Sequence, residues 1–220
     1  MNLNRRHCIA LATSLACAGI KAQTAASTPT AGARRTTTIV VVGDSLSAEY
    51  GLPRGSGWVA LLEQKLVRER VAASVVNASI SGDTSAGGRA RLPALLRQHR
   101  PQVVVIELGG NDALRGLPIE MTQDNLTTMA GAARQAGARV VLLGMQVPPN
   151  YGRDYNQRFA AMFAQVAKDQ QALLVPFFLK GIGDVPDSAR WFQNDRIHPT
   201  EAAQTQLLAN VWPTLRKALP

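Results

Sequence analysis

The sequence predicts an α/β protein whose parallel sheet is covered by helices on both faces, and three observations predict it. Short apolar runs rich in β-branched residues recur five times along the chain. Helix-length segments stand between them, long enough for each crossover to bring the next strand back in parallel. The polar residues best suited to chemistry follow the runs directly, at the carboxyl edge of such a sheet, where open α/β folds bind ligands. The class is a doubly wound, flavodoxin-like three-layer α/β/α sandwich with a five-stranded parallel sheet. With 220 residues, 46% of them hydrophobic and 5% aromatic, the chain has the composition of a globular domain with one sizeable core, not of a disordered or fibrous protein.

The N-terminal 35 residues stand apart from this pattern. Arg5-Arg6, an apolar run from Cys8 to Leu15, and small residues that include Ala16-Cys17-Ala18 and Ala22 read as a cleaved export signal within residues 1–26. A Thr/Ala-rich spacer follows over residues 27–35. The apolar run is shorter than the roughly 20 residues a bilayer requires, so no stable membrane anchor is expected. Sec export is favoured over the twin-arginine route that Arg5-Arg6 also permits, which places the protein in the periplasm or outside the cell. Ser14 stands where a lipobox carries leucine, against a lipoprotein. The only cysteines, Cys8 and Cys17, lie in this segment, leaving the mature chain without a disulfide, a cysteine nucleophile or a cysteine metal site. Cleavage after Ala22 takes away the three charges of Arg5, Arg6 and Lys21 and lowers the formal net charge from +9 to +6. No basic run is interleaved with aromatics, so the surplus reads as a basic surface and not as a nucleic-acid site.

From residue 36 to residue 220 a single domain is expected. The strand Thr38–Val42 runs into Gly43-Asp44-Ser45. The segment GWVALLEQKLVRERV then places Val59, Leu62 and Leu66 at helical steps, and Ser74–Ala78 forms the second strand. A turn at Gly82 in NASISGDTSAGG precedes the helical RLPALLRQH, and the third strand is Val103–Leu108. After it, Gly109-Gly110 bring Asn111 round a tight corner. The strand Val140–Met145, the helix FAAMFAQVAKDQ and the strand Leu173–Phe178 complete the alternation. The segment WFQNDRIHPTEAAQ leads into TEAAQTQLLANVWPTLRKAL, a last helix that Pro213 is expected to kink or end early.

Residues at these strand ends match the needs of ester hydrolysis. Such a reaction requires an activated hydroxyl, a base held in one tautomer, and donors for the oxyanion. Ser45 is the candidate nucleophile. His198 is the candidate base, since the other histidines, His7 and His99, fall in the export signal and at a helix end. Asp195, three residues earlier, is placed to accept from the second imidazole nitrogen. The N–H groups of Ser45 and Gly82 and the side-chain amide of Asn111 are the candidate oxyanion donors, Gly82 because a glycine backbone can approach a ligand closely. Each block also has a simpler reading, as turn glycines, a capping asparagine, a surface acid and a helix start at His198-Pro199. It is their joint occurrence at one edge that favours chemistry.

The blocks GDSLS, the Gly82 segment, GGND and DRIHP resemble, in order, the four signatures of the SGNH or GDSL hydrolases. The runs VVNASISGDTS, RLPALLRQH, ELGGNDALRG and PPNYGRDYN extend the resemblance over nearly the whole chain from Ile39, towards the multifunctional thioesterase, protease and lysophospholipase type and the bacterial arylesterases. The resemblance implies an SGNH hydrolase fold and hydrolysis of acyl esters and thioesters through an acyl-enzyme on Ser45. It implies no metal and no cofactor, and small substrates that extend to lysophospholipids, met by a monomer. It matches Ser45, Gly82, Asn111, Asp195 and His198 to the family's nucleophile, oxyanion donors, acid and base. Asp44 belongs to the signature and is read as holding the turn. Glu49 departs from the pattern of the type the chain most resembles, which has glycine after GDSLSA, and this bears on substrate access or helix entry. The α/β-hydrolase elbow G-x-S-x-G fits less well, because Ser47 occupies its last glycine position.

Leu114, Leu117, Ile119, Pro148, Pro149 and Tyr151 lie in sparsely charged segments after the third and fourth runs and are candidates to line an acyl-chain groove. Packing of these loops onto the helices is the competing reading. A carbohydrate O-deacetylase of the same superfamily is the alternative function, and a binding protein with a relic site is disfavoured because every catalytic position is filled by a competent residue.

Overall fold

The computed structural model describes residues 36–219. The export signal and spacer read from the sequence lie outside the described residues. Five strands, β1 (Thr37–Gly43), β2 (Ala73–Asn77), β3 (Val103–Glu107), β4 (Arg139–Leu143) and β5 (Leu173–Val175), form one sheet in the order β2-β1-β3-β4-β5. Every pairing is parallel. Helices α1 (Trp58–Arg68) and α6 (Gln204–Ala218) pack together on one face, and α2 (Ser85–His99), α4 (Ile119–Gln135) and α5 (Arg153–Asp169) pack in succession on the other. The short α3 (Gly110–Leu114) follows β3. Burial on both faces explains why the central strands are almost purely aliphatic, with all five residues of β3 buried. Trp58, Phe159, Phe163 and Phe178 are the largest side chains in the core.

This strand order reverses its winding between β1 and β3, and the two strands splay their connections to opposite sides at that point. The crevice so formed at the carboxyl ends is the expected ligand site of a doubly wound sheet. The last pair in the β1–β3 register is Gly43 with Glu107, so the segments following both strands open into the same crevice.

Two sequence expectations are corrected, and one element adds to them. The fifth strand stops at Val175 and not at Phe178, because Pro176 has no N–H to continue the ladder; Phe178 is nevertheless fully buried, its N–H donating to the Gly144 carbonyl at 2.8 Å. Pro213 does not end the last helix. It sits exposed within α6, which continues to Ala218, so the hydrogen bond it forfeits falls on the solvent side. Helix α4 was not read from the sequence at all. Its buried stripe includes Thr122 and Asn125 beside Leu126, Met129 and Ala133, and these two polar residues break the apolar periodicity.

Candidate active site

The chain leaves β1 through a tight turn built on Asp44. Its carboxylate Oδ1 accepts the Leu46 N–H at 3.0 Å, and the Ser47 and Ala48 N–H groups return to the Asp44 carbonyl. This turn presents Ser45 towards the crevice, 9% exposed. On the opposite side, the segment before α6 is closed by an antiparallel bridge between Phe192 and Pro199, with the Gln193 N–H donating to the His198 carbonyl at 2.8 Å. Within that closed turn, Asp195 Oδ1 accepts the backbone N–H groups of Ile197 at 2.9 Å and His198 at 3.0 Å. Its other oxygen, Oδ2, lies 2.7 Å from His198 Nδ1, and His198 Nε2 lies 2.9 Å from Ser45 Oγ. Ser45, His198 and Asp195 therefore form one continuous hydrogen-bonded chain across 153 residues of sequence.

Gly82 occupies the left-handed region at φ +78°, where a side chain would be strained, and a Cβ there would meet only the end of the Arg115 guanidinium at 3.9 Å. Among the described residues, the backbone N–H groups of Ser45 and Gly82 have no protein acceptor. Arg115 Nη2 donates to the Gly82 carbonyl at 2.8 Å, and Arg91 ties the adjoining turn down through a 2.8 Å ion pair with Asp83 and bonds to the carbonyls of Ala78 and Gly43. Asn111 is anchored differently from a free donor. Its Nδ2 reaches Asp44 Oδ2 at 3.0 Å and the Asp83 carbonyl at 2.9 Å, so both amide hydrogens have protein acceptors. The next residue, Asp112, is fully buried and binds the start of α2, accepting the Ser85 N–H at 2.8 Å and the Ser85 hydroxyl at 2.5 Å. Asn125 Nδ2 donates in turn to Ser85 Oγ at 2.9 Å. The polar residues that broke the α4 pattern thus hold the loop that carries Asn111.

Two carboxyls are buried at the turn that carries Ser45. Glu107, at the end of β3, is 1% exposed; its Oε2 accepts the Ser47 hydroxyl at 2.8 Å and the Asp44 N–H at 3.3 Å, while Oε1 has no partner. Trp58 Nε1 donates to the same Ser47 oxygen at 3.1 Å. Burial, reinforced by the Asp44 charge, pushes the Glu107 carboxyl well above its ordinary range. Burial likewise pushes Asp44 up to about 6, against the downward pull of the Leu46 N–H, His198 and the Asn111 amide. Asp195 goes the other way: desolvation acts upwards, but the His198 backbone N–H, the imidazole and the Ile197 N–H outweigh it and hold the carboxyl at about 2. Glu107 was missed in the sequence although an acid ending the apolar run VVVIE was a visible signal.

The candidate acyl-chain residues are scattered in burial. Leu114 is 47% exposed, Pro148 is exposed and Leu117 is half-buried. Tyr151 packs against Tyr155 with centroids 5.8 Å apart, and Ile119 is buried within α4, so the packing reading holds for Ile119. A cavity of about 570 Å³ lined by Gln146, Arg153, Asn156 and Gln157 holds none of the residues of the hydrogen-bonded chain. Glu49 bears on helix entry: at φ +61°, it accepts the N–H groups of Gly55 at 2.9 Å and Gly57 at 2.8 Å and so fastens the loop leading into α1.

A sequence profile of the GDSL-like lipase/acylhydrolase family matches residues 41–206. The chain is similar to esterase TesA of Pseudomonas aeruginosa, with 56% identity over 182 residues that cover 83% of this chain and 89% of the relative. It is also similar to thioesterase 1/protease 1/lysophospholipase L1 of Escherichia coli K12, 45% identical over 167 residues, or 76% of this chain and 77% of the relative. The crystal structure of the psychrotrophic esterase EstA from Pseudoalteromonas sp., inhibited by monoethylphosphonate, matches at a TM-score of 0.77 and 41% identity, covering 82% of this chain and 97% of that one.

Proposed function

The chain belongs to the GDSL-like lipase/acylhydrolase family and is a hydrolase of ester bonds, and from that premise we propose that it cleaves acyl esters and thioesters through an acyl-enzyme on Ser45. The observation that carries the reading is the unbroken chain from Ser45 Oγ through the imidazole to Asp195, with contacts of 2.9 and 2.7 Å. Ser45 Oγ attacks the acyl carbonyl while its proton passes to His198 Nε2. Asp195 accepts from Nδ1–H, holding the tautomer and balancing the imidazolium. The departing alcohol or thiol takes the proton from Nε2. Water then attacks the acyl-Ser45 carbonyl, giving its proton to the same nitrogen, and the carboxylic acid leaves as Oγ is reprotonated. The tetrahedral oxyanion is met by the N–H groups of Ser45 and Gly82. Asn111 adds a third donor, and since both its hydrogens already have acceptors it contributes a shared, three-centre bond.

Three of the large hydrophobics exposed among the described residues, Ile80, Leu114 and Ile197, lie within three residues along the chain of Gly82, Asn111 and His198 respectively. Exposed apolar side chains so near the site residues along the chain favour an acyl chain, lysophospholipids included, over a sugar. The protein acts in the periplasm or outside the cell, a reading supported by the export signal read from residues 1–26. A panel of p-nitrophenyl esters from acetate to palmitate, with acyl-CoA, lysophosphatidylcholine and acetylated sugars, tests the substrate class. Ester and thioester turnover that disappears in Ser45→Ala is the expected result. Turnover confined to acetylated sugars overturns the acyl-chain reading, and turnover surviving in Ser45→Ala overturns the mechanism.

A further inference from the structure

Tyr50 follows Ser45 by five residues, and its ring lies against the His198 imidazole with centroids 4.3 Å apart and planes tilted by 35°. It is 51% exposed, so core packing does not account for this placement. The backbone of the same residue is tied to both halves of the site. Its N–H donates to the Ser45 carbonyl at 3.3 Å, and its carbonyl accepts from Gln193 Nε2 at 2.9 Å. Gln193 belongs to the loop that bears the base: its Nε2 also reaches the Pro199 carbonyl at 3.3 Å, and its own N–H donates to the His198 carbonyl. Upstream, the Glu49 carboxylate fastens the loop beyond Tyr50 through Gly55 and Gly57. Gly51 stands at φ +70°, which favours glycine, and a Cβ there would strike the Gln193 amide oxygen at 2.2 Å and push that amide out of the strap.

We propose that Tyr50 is a positioning residue for His198, its ring and the Gln193 strap together holding the imidazole plane in the direction that aims Nε2 at Ser45 Oγ. The inference rests on the reading of Ser45, His198 and Asp195 given above. Two physical effects act in the same sense. The ring covers one imidazole face and removes the orientations that would swing Nε2 away, and small misplacements of a reacting group are costly in rate. When Nε2 takes the serine proton, the positive charge that forms lies within reach of the tyrosine π face, which favours it. Neither effect requires the phenol hydroxyl.

The test compares Tyr50→Ala, Tyr50→Leu, Tyr50→Phe, Gln193→Ala and His198→Ala with the wild-type enzyme on p-nitrophenyl acetate, a substrate with only a two-carbon acyl group. Tyr50→Ala is expected to lower kcat by about tenfold with KM within threefold. Tyr50→Phe restores most of the loss, and Tyr50→Leu, which keeps bulk without a π face, does not. Gln193→Ala lowers kcat severalfold, and adding it to Tyr50→Ala costs less than the product of the two, because both act on the orientation of one imidazole. Labelling of Ser45 by a fluorophosphonate slows in parallel with kcat. If Tyr50→Ala fails to fold, the difference between Tyr50→Phe and Tyr50→Leu decides the matter. A kcat within twofold of wild type in both Tyr50→Ala and Tyr50→Leu overturns the proposal, as does a change in KM alone, which would make Tyr50 only a wall of the substrate site. Full activity in His198→Ala would overturn instead the assignment of the base.

Discussion

Asp44 and Asp195 are two carboxylates one step from the reacting groups, Asp44 behind the candidate nucleophile and Asp195 behind the candidate base, and their surroundings are opposite. Asp195 sits at the surface with three donors aimed at it, two backbone N–H groups and the imidazole, and its carboxyl is held at about 2. Asp44 is 2% exposed, has two donors and shares its burial with Glu107, which has no cationic partner among its contacts; its carboxyl is pushed up to about 6. The difference shows how placement divides labour between like groups. A carboxylate whose donors outweigh its partial loss of water stays charged throughout the working pH range and can balance an imidazolium. A buried carboxyl beside another acid gives up part of its charge and serves as a scaffold, here by gripping the Asn111 amide and the Ser45 turn.

The comparison is broken most sharply at Asp195. Asp195→Asn keeps an oxygen for the backbone donors but cannot both accept from Nδ1–H and balance the imidazolium, so kcat is expected to fall by about 10³- to 10⁴-fold with the thermal midpoint nearly unchanged. Steady-state kinetics alongside a melting curve checks this, and a loss below tenfold would mean that the exposed carboxylate is no more than a cap for its own turn.

The next effect separates Asn111 from its buried partner. Asn111→Ala is expected to lower kcat by about 10²- to 10³-fold with KM within a few-fold, as transition-state binding alone is lost. Asp44→Asn, which leaves the amide in place but faces it with a group that can be another donor, is expected to lower kcat by about tenfold, the smaller loss of a misdirected donor. Equal losses in the two variants would place Asp44 in the chemistry and not in the scaffold.

The smallest effect lies in stability. Raised carboxyl pKa values mean that the Asp44–Glu107 pair contributes fully to stability below the unfolded value near 4, and that the contribution is lost as pH climbs through about 6 and beyond. Glu107→Gln removes one acid and its repulsion of the other. Its stability relative to wild type should therefore improve by about 1–2 kcal/mol between pH 4 and pH 8, measured by denaturant unfolding at each pH. Parallel profiles for the two proteins would show that the buried pair does not titrate in this range. Asp195 has the opposite sign, its small contribution being lost only as pH falls from about 4 towards 2.

The sequence alone determined the layered α/β class and pointed to the edge where the candidate site lies. Strand residues buried on both faces must be aliphatic, crossovers must be helix-length, and functional groups collect where strands end, so five runs and four polar blocks sufficed to put Ser45, Gly82, Asn111, Asp195 and His198 at one edge. Such local constraints act over a few residues and leave a periodic or compositional trace. Helix α4 left a poor one because Thr122 and Asn125 face inwards to bind Asp112 and Ser85, contacts that exist only once two distant segments have met. The tertiary structure alone decided the rest: that both hydrogens of the Asn111 amide are already engaged, that Glu107 lies under the Ser45 turn without a counter-charge, that Glu49 fastens a loop, and that Tyr50 lies on the imidazole. Each of these depends on burial or on a pairing across the fold, Glu107 with Ser47 over 60 residues and Gln193 with the Tyr50 carbonyl over 143. The charge state of a carboxyl and the direction of an amide are set by what surrounds them in space, and those neighbours come from segments whose spacing along the chain carries no signal of their contact.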